Sequence, residues 1–186
     1  VSMKAKIIVP FKDTGGKEMI TSPGDRDIDG TSVGNWTALN TSISALSSEL
    51  LIAISSSSSI QAAELDYTFL EPIHKGITYN ISCFLYASNS NANTGNDHQF
   101  SFAGVFSSGF NLSAPTDTNN KESVDLIATS KTGKLKIQKT SVVPLILYAR
   151  EFRVTEKCFT RVIDRSENDT LFYVESYGTL DTSSDA

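Results

Sequence analysis

The sequence predicts an all-β domain built as an antiparallel sandwich or barrel. Three observations carry that prediction. The dominant hydrophobic period is two: Ile77, Tyr79, Ile81, Cys83 and Leu85 alternate with Thr78, Asn80, Ser82, Phe84 and Tyr86, which sends one set to each face of a strand. Short segments rich in Val, Ile, Thr, Tyr and Phe recur at spacings of about ten residues, as pleated, half-buried surfaces prefer. Turn signals separate them at Gly15-Gly16, Pro23-Gly24, Asp29-Gly30, Lys75-Gly76 and Thr132-Gly133. No helix–strand alternation and no internal repeat competes with this pattern.

The elements follow in order. Lys6–Val9 reads as a first strand. Asp25, Asp27 and Asp29 alternate in a polar stretch. No glutamate follows Gly30 at the calcium-loop distance, so a solvated acidic turn is expected there. Asn35–Leu39 is a strand headed by Trp36, the single tryptophan, which is expected in the core, with stacking on a ligand as the alternative. Ile43, Leu46, Leu50, Leu51 and Ile54 fit a helical stripe that Ser42 could cap, and Leu50–Ser55 also fit a buried strand. The serine run Ser55–Ser59 favours the strand, and the run itself reads as loop. Ala63–Leu70 is a strand, with Glu64, Asp66 and Glu71 assigned to an exposed face. The central strand after Gly76 carries the aromatic Phe84 and Tyr86 on its second face. Ser88–Gln99 has no apolar residue larger than Ala92 and is expected to form a loop, as is Ala114–Glu122. Strands are expected at Gln99–Phe106, Val124–Ala128, Leu135–Ile137 with a wet lysine face, Leu145–Ala149 and around Phe152 and Val154. Cys158–Ile163 and Leu171–Tyr177 add two more, and the tail Thr179–Ala186 is polar.

The chain has 186 residues, enough for one domain with a core that needs neither disulfide nor metal. Lys and Arg number 16 against 21 Asp and Glu, a net charge of -5, which disfavours nucleic-acid phosphates and anionic lipid as partners. No apolar run approaches the roughly 20 residues that cross a bilayer. Val1–Phe11 lacks the apolar stretch of an export signal. Cys83 and Cys158 both lie in apolar strand-like segments. They read as two buried free thiols, and a bond between them requires face-to-face strands.

Little in the sequence points to catalysis. His74 and His98 lie on separate turns without a metal-ligand neighbour. There is no G-x-S-x-G and no phosphate-binding glycine loop. The expectation is a protein that is not an enzyme, with no cofactor and no metal, and without support for a structural calcium. Binding is the better prospect. Sugars are held by aromatic ring faces flanked by amides and charges. Phe84 and Tyr86 supply rings, the adjoining segment supplies Asp97, His98 and Gln99, and Phe106 and Phe110 lie beyond. The candidate glycan-binding set is Tyr86, Asp97, His98, Gln99 and Phe110.

The order of segments carries a resemblance. G-N-W-T-A-L-N (34–40), L-L-I-A-I-S-S-S (50–57), A-E-L-D-Y-T-F (63–69), K-G-I-T-Y-N-I-S-C-F-L-Y-A-S (75–88), T-G-K-L-K-I (132–137) and A-R-E-F-R-V-T-E (149–156) follow one another. Over residues 30–156 this resembles the jelly-roll carbohydrate-binding modules of the family 4/9 type, with Gly76-Ile77-Thr78-Tyr79 matching their turn into the central strand and Glu151-Phe152-Arg153-Val154 their closing strand. The resemblance implies a jelly-roll β-sandwich at 30–156, an N-terminal arm or first strand at 1–29, and a C-terminal strand or hairpin extension at 157–186. That extension is charged, through Arg161, Asp164, Arg165, Glu167 and Asp169. Family members often close with paired aspartates where this chain has Arg150-Glu151, which counts against a family-like calcium site. Modules of this kind are also similar to domains of bacteriophage virion proteins, in tail fibres, head fibres and capsid decoration. The implied function is a non-catalytic virion structural protein, assembled in the host cytoplasm. Its implied partners are other virion proteins or copies of itself as a homo-oligomer, together with host-surface glycans. The alternative is the carbohydrate-binding module of a secreted glycoside hydrolase.

Overall fold

The computed structural model describes residues 5–7, 16–89, 98–141, 144–157 and 163–165. It is an all-β sandwich of two five-stranded antiparallel sheets. The first sheet runs β3 (Ser42–Leu46), β4 (Glu49–Ile54), β11 (Leu145–Glu156), β6 (Thr78–Ala87), β9 (Lys121–Ile127). The second runs β2 (Thr37–Leu39), β5 (Ser57–Leu65), β10 (Leu135–Ser141), β7 (His98–Phe102), β8 (Val105–Phe106). Apart from the β7–β8 hairpin, successive strands from β4 to β11 alternate between the sheets. The resulting orders, β4-β11-β6-β9 and β5-β10-β7-β8, are those of an eight-stranded jelly roll. The β2–β3 segment then adds one edge strand to each sheet. A separate antiparallel pair joins β1 (Ala5–Ile7) to β12 (Ile163–Arg165).

The core follows from the alternation. Leu50, Ile52 and Ile54 of β4, Tyr79, Ile81, Cys83 and Leu85 of β6, and Leu145, Leu147 and Ala149 of β11 are buried. They face Ala63 and Leu65 of β5, Leu135 and Ile137 of β10, and Phe100 and Phe102 of β7. Tyr79 and Phe102 bridge the sheets with ring centroids 5.1 Å apart. Trp36 is buried against Phe152 at 4.5 Å, as expected of a core residue. Cys83 is a free, buried thiol, and burial, reinforced by the Glu122 charge, pushes its pKa well up. Cys158 lies outside the described residues.

Strand β11 is continuous where the sequence showed two strands. Its inward residues are odd-numbered up to Ala149 and even-numbered from Phe152. A β-bulge between Arg150 and Arg153 absorbs the change of phase, with Glu151 at φ 52°. Both halves thereby keep their apolar side chains inward.

Several local expectations are corrected. The run Ser55–Ser59 is not all loop, because Ser57–Ser59 open β5; small side chains are tolerated where the strand overhangs the core. The segment 63–70 leaves the sheet at Leu65, and Asp66 then accepts from Thr68 N at 3.1 Å to start a 3-10 turn, Tyr67–Phe69. Glu64 is not on an exposed face but is buried beneath Lys134 and Lys136. Residues 121 and 122 belong to β9, not to the preceding loop, and Asn120 is buried, donating to Leu85 O at 2.8 Å. The acidic stretch is not simply solvated either. Asp25 is buried in the short helix α1 (Pro23–Arg26) and accepts from Asn35 N at 2.7 Å and Asn35 Nδ2 at 2.9 Å. Its carbonyl accepts from Trp36 Nε1 at 2.9 Å. Gly34, at φ 60°, has no side chain because a Cβ there would strike the Asp25 carboxylate.

Candidate functional site

The solvent side of the first sheet gathers the aromatic and charged residues that its inward alternation excludes. Tyr148 on β11 pairs with Tyr86 on β6, and Arg150 pairs with Phe84. On the outer face these cross-strand partners meet. The Tyr86 and Tyr148 rings stack with centroids 4.8 Å apart and planes 8° from parallel. The Arg150 guanidinium lies 4.3 Å over the Phe84 ring, a cation–π contact. Glu49, at the start of β4, accepts from the Tyr86 hydroxyl at 2.8 Å from each carboxylate oxygen and sits 3.7 Å from Arg150 Nε. The bulge in β11 aims Arg150 across this surface and sets Glu151 beside it at 2.6 Å. Arg150 Nη2 also donates to Thr118 O at 2.9 Å.

The electrostatics hold this group still. Partial burial and the Glu49 carboxylate together push the Tyr86 phenol well above its usual pKa. Tyr86 is therefore a neutral hydroxyl donor at any physiological pH. Arg150 is held between an aromatic face and two carboxylates. The surface thus offers ordered ring faces next to a guanidinium and carboxylates, with little side-chain entropy left to lose on binding.

Tyr86 is thus on the outer face of the first sheet. Gln99 is on the opposite side of the molecule, on the outer face of the second sheet, where it accepts from Gln138 Nε2 at 2.8 Å. Beside that amide pair, Glu64 binds Lys136 at 2.7 Å and Lys134 at 2.5 Å. Burial alone would raise the Glu64 pKa, but the two lysines outweigh it and hold the carboxyl below its usual value. His98 points inward, almost fully buried. By register it shares a row with Lys139 and, across β10, with Gln61, both also buried. The His98 ring lies 5.9 Å from that of Phe110, which also packs on Phe100 at 5.4 Å. Asp97 lies outside the described residues. Of the four described residues of the candidate set, the structure brings only His98 and Phe110 into side-chain contact.

Sequence reasoning missed Tyr148, Arg150 and Glu49. The outward direction of Tyr148 was legible, since it stands between Leu147 and Ala149. Its partnership with Tyr86 was not, because strand register across 62 positions leaves no local mark. No protein-family model matches the chain, and no relative emerges among curated proteins.

Proposed function

We propose that the chain is a non-catalytic virion structural protein, a capsid-decoration or fibre component, whose first sheet presents its outer face to host-surface glycans. One observation carries the reading: the Tyr86–Tyr148 stack stands beside Arg150 and Glu49 on the solvent side of a five-stranded sheet. Ring faces of this kind receive the C–H face of a pyranose, while guanidinium and carboxylate groups hold its hydroxyls. The jelly-roll strand order supports the same setting by analogy of fold alone.

A glycan array probed with the wild-type chain and with Tyr86→Ala tests this. The wild type binds a subset of glycans, and Tyr86→Ala loses that signal. The thermal midpoint falls by no more than about 4 °C, because a half-buried side chain off the core is removed. Unchanged binding by the variant, or no binding by the wild type, contradicts the proposal. A much larger fall in midpoint would return Tyr86 to a structural role.

A further inference from the structure

One end of the sandwich carries a cleft of 330 Å³ that shares no residue with the Tyr86–Tyr148 face. Its walls are anchored on both sides. On one side the 3-10 turn Tyr67–Phe69 is tied to the chain before α1, with Thr21 N donating to Phe69 O at 3.1 Å and Glu71 N to Met19 O at 2.7 Å. On the other, the turn bearing Lys131 is pinned by Thr129 N and Ser130 N, which donate to Ala103 O at 3.2 and 3.0 Å. The floor is apolar, formed by Leu70, Pro72 and Ile73, and Tyr67 lines it while remaining 42% exposed.

The polar groups around this floor have spare capacity. Among the described residues neither the Lys131 ammonium nor the Tyr67 hydroxyl makes a hydrogen bond or ion pair. The lining acid, Glu71, is neutralised on Oε2 by Lys17 at 2.9 Å. Lys131 is therefore the lining cation with no carboxylate bound to it among the described residues, while Asp66 stands behind the rim, bound to Thr68 N and Oγ1. An anchored apolar floor, an aromatic ring and one free cation suit an amphipathic ring compound that carries an acid. The volume admits one such ring with its substituents.

We propose that this cleft is a second ligand site and that it takes a pyranose bearing a carboxylate, a hexuronate or sialic acid residue, with the sugar against Tyr67 and the acid on Lys131. This goes beyond the glycan face of the first sheet and does not depend on it. Ligand-observed saturation-transfer NMR with methyl β-D-glucuronide and methyl β-D-glucoside provides the test, since the two sugars differ only at the carboxylate. The glucuronide is expected to bind about tenfold more tightly than the glucoside, the worth of one charge-assisted hydrogen bond. Lys131→Gln should remove that preference, and Tyr67→Ala should weaken binding of both sugars at this cleft. Equal affinities for the two sugars, absence of transfer to either, or a preference that survives Lys131→Gln would overturn the proposal. Loss of glucuronide binding in Tyr86→Ala would overturn it too, and would assign the sugar to the first sheet instead.

Discussion

Two buried glutamates make opposite use of their surroundings. Glu64 is paired with Lys134 and Lys136, and its folded-state pKa is held below 4.5. Its contribution to stability is complete above the unfolded-state pKa and is lost as pH falls through the depressed folded value. Glu64→Gln should therefore cost about 1–3 kcal/mol at neutral pH, with the deficit shrinking in acid. Glu156 is buried at the end of β11, and its Oε1 has no hydrogen-bond partner among the described residues. Burial raises its pKa above 4.5, against the opposing charges of His74 and Lys17. The protonated form is the one the fold favours, so this stabilisation is present below the unfolded pKa and is lost as pH rises through the folded value. Glu156→Gln is expected to raise the thermal midpoint by about 3 °C at pH 7, a gain that disappears in acid. Thermal melts of both variants from neutral pH to acid check the pair of signs. Neither environment is legible in the residues around these glutamates. Glu64 reads as a wet-face residue because its period places it outward, and it becomes buried because Lys136 of β10 and Lys134 just before that strand close over it.

Strands were more legible than their connections. Period-two alternation located the central strands and assigned Tyr79, Ile81, Cys83 and Leu85 to the core. The two tight hairpins were harder to see. Ser47 and Ser48 turn β3 into β4 at φ 51° and 68°, and Ala103 and Gly104 turn β7 into β8 at 49° and 82°. Both have the left-handed pair that matches strand twist, yet neither carries the Asn-Gly or Asp-Gly that advertises it. The bulge of β11 was hidden for a related reason: a phase slip looks like a strand boundary when only one strand is in view. The β7–β8 turn also supports the neighbouring one, because Thr129 N and Ser130 N bond to Ala103 O. A Cβ on Gly104 would lie 3.1 Å from Thr129 Oγ1 in a conformation that side chains resist. Gly104→Ala is expected to cost about 1–2 kcal/mol, read as a lower denaturant midpoint with unchanged slope. No loss of stability would show that this turn relaxes freely.

At the scale of the molecule, the jelly-roll order explains why the candidate residues scatter. Neighbouring stretches of sequence pass to opposite sheets, so Tyr86 on β6 and Gln99 on β7 emerge on opposite outer faces. A cluster legible in one dimension is divided, and a different one, Tyr86 with Tyr148, Arg150 and Glu49, is assembled from three strands. That cluster is the basis of the functional account, and chemical-shift mapping tests it most directly. The isotope-labelled chain is titrated with the strongest glycan from the array. Binding at this cluster should shift resonances concentrated at residues 49–51, 84–86, 118–121 and 146–151, on one face of the first sheet. Shifts centred on β7 and β10 of the second sheet, with Tyr86 and Tyr148 silent, would contradict it.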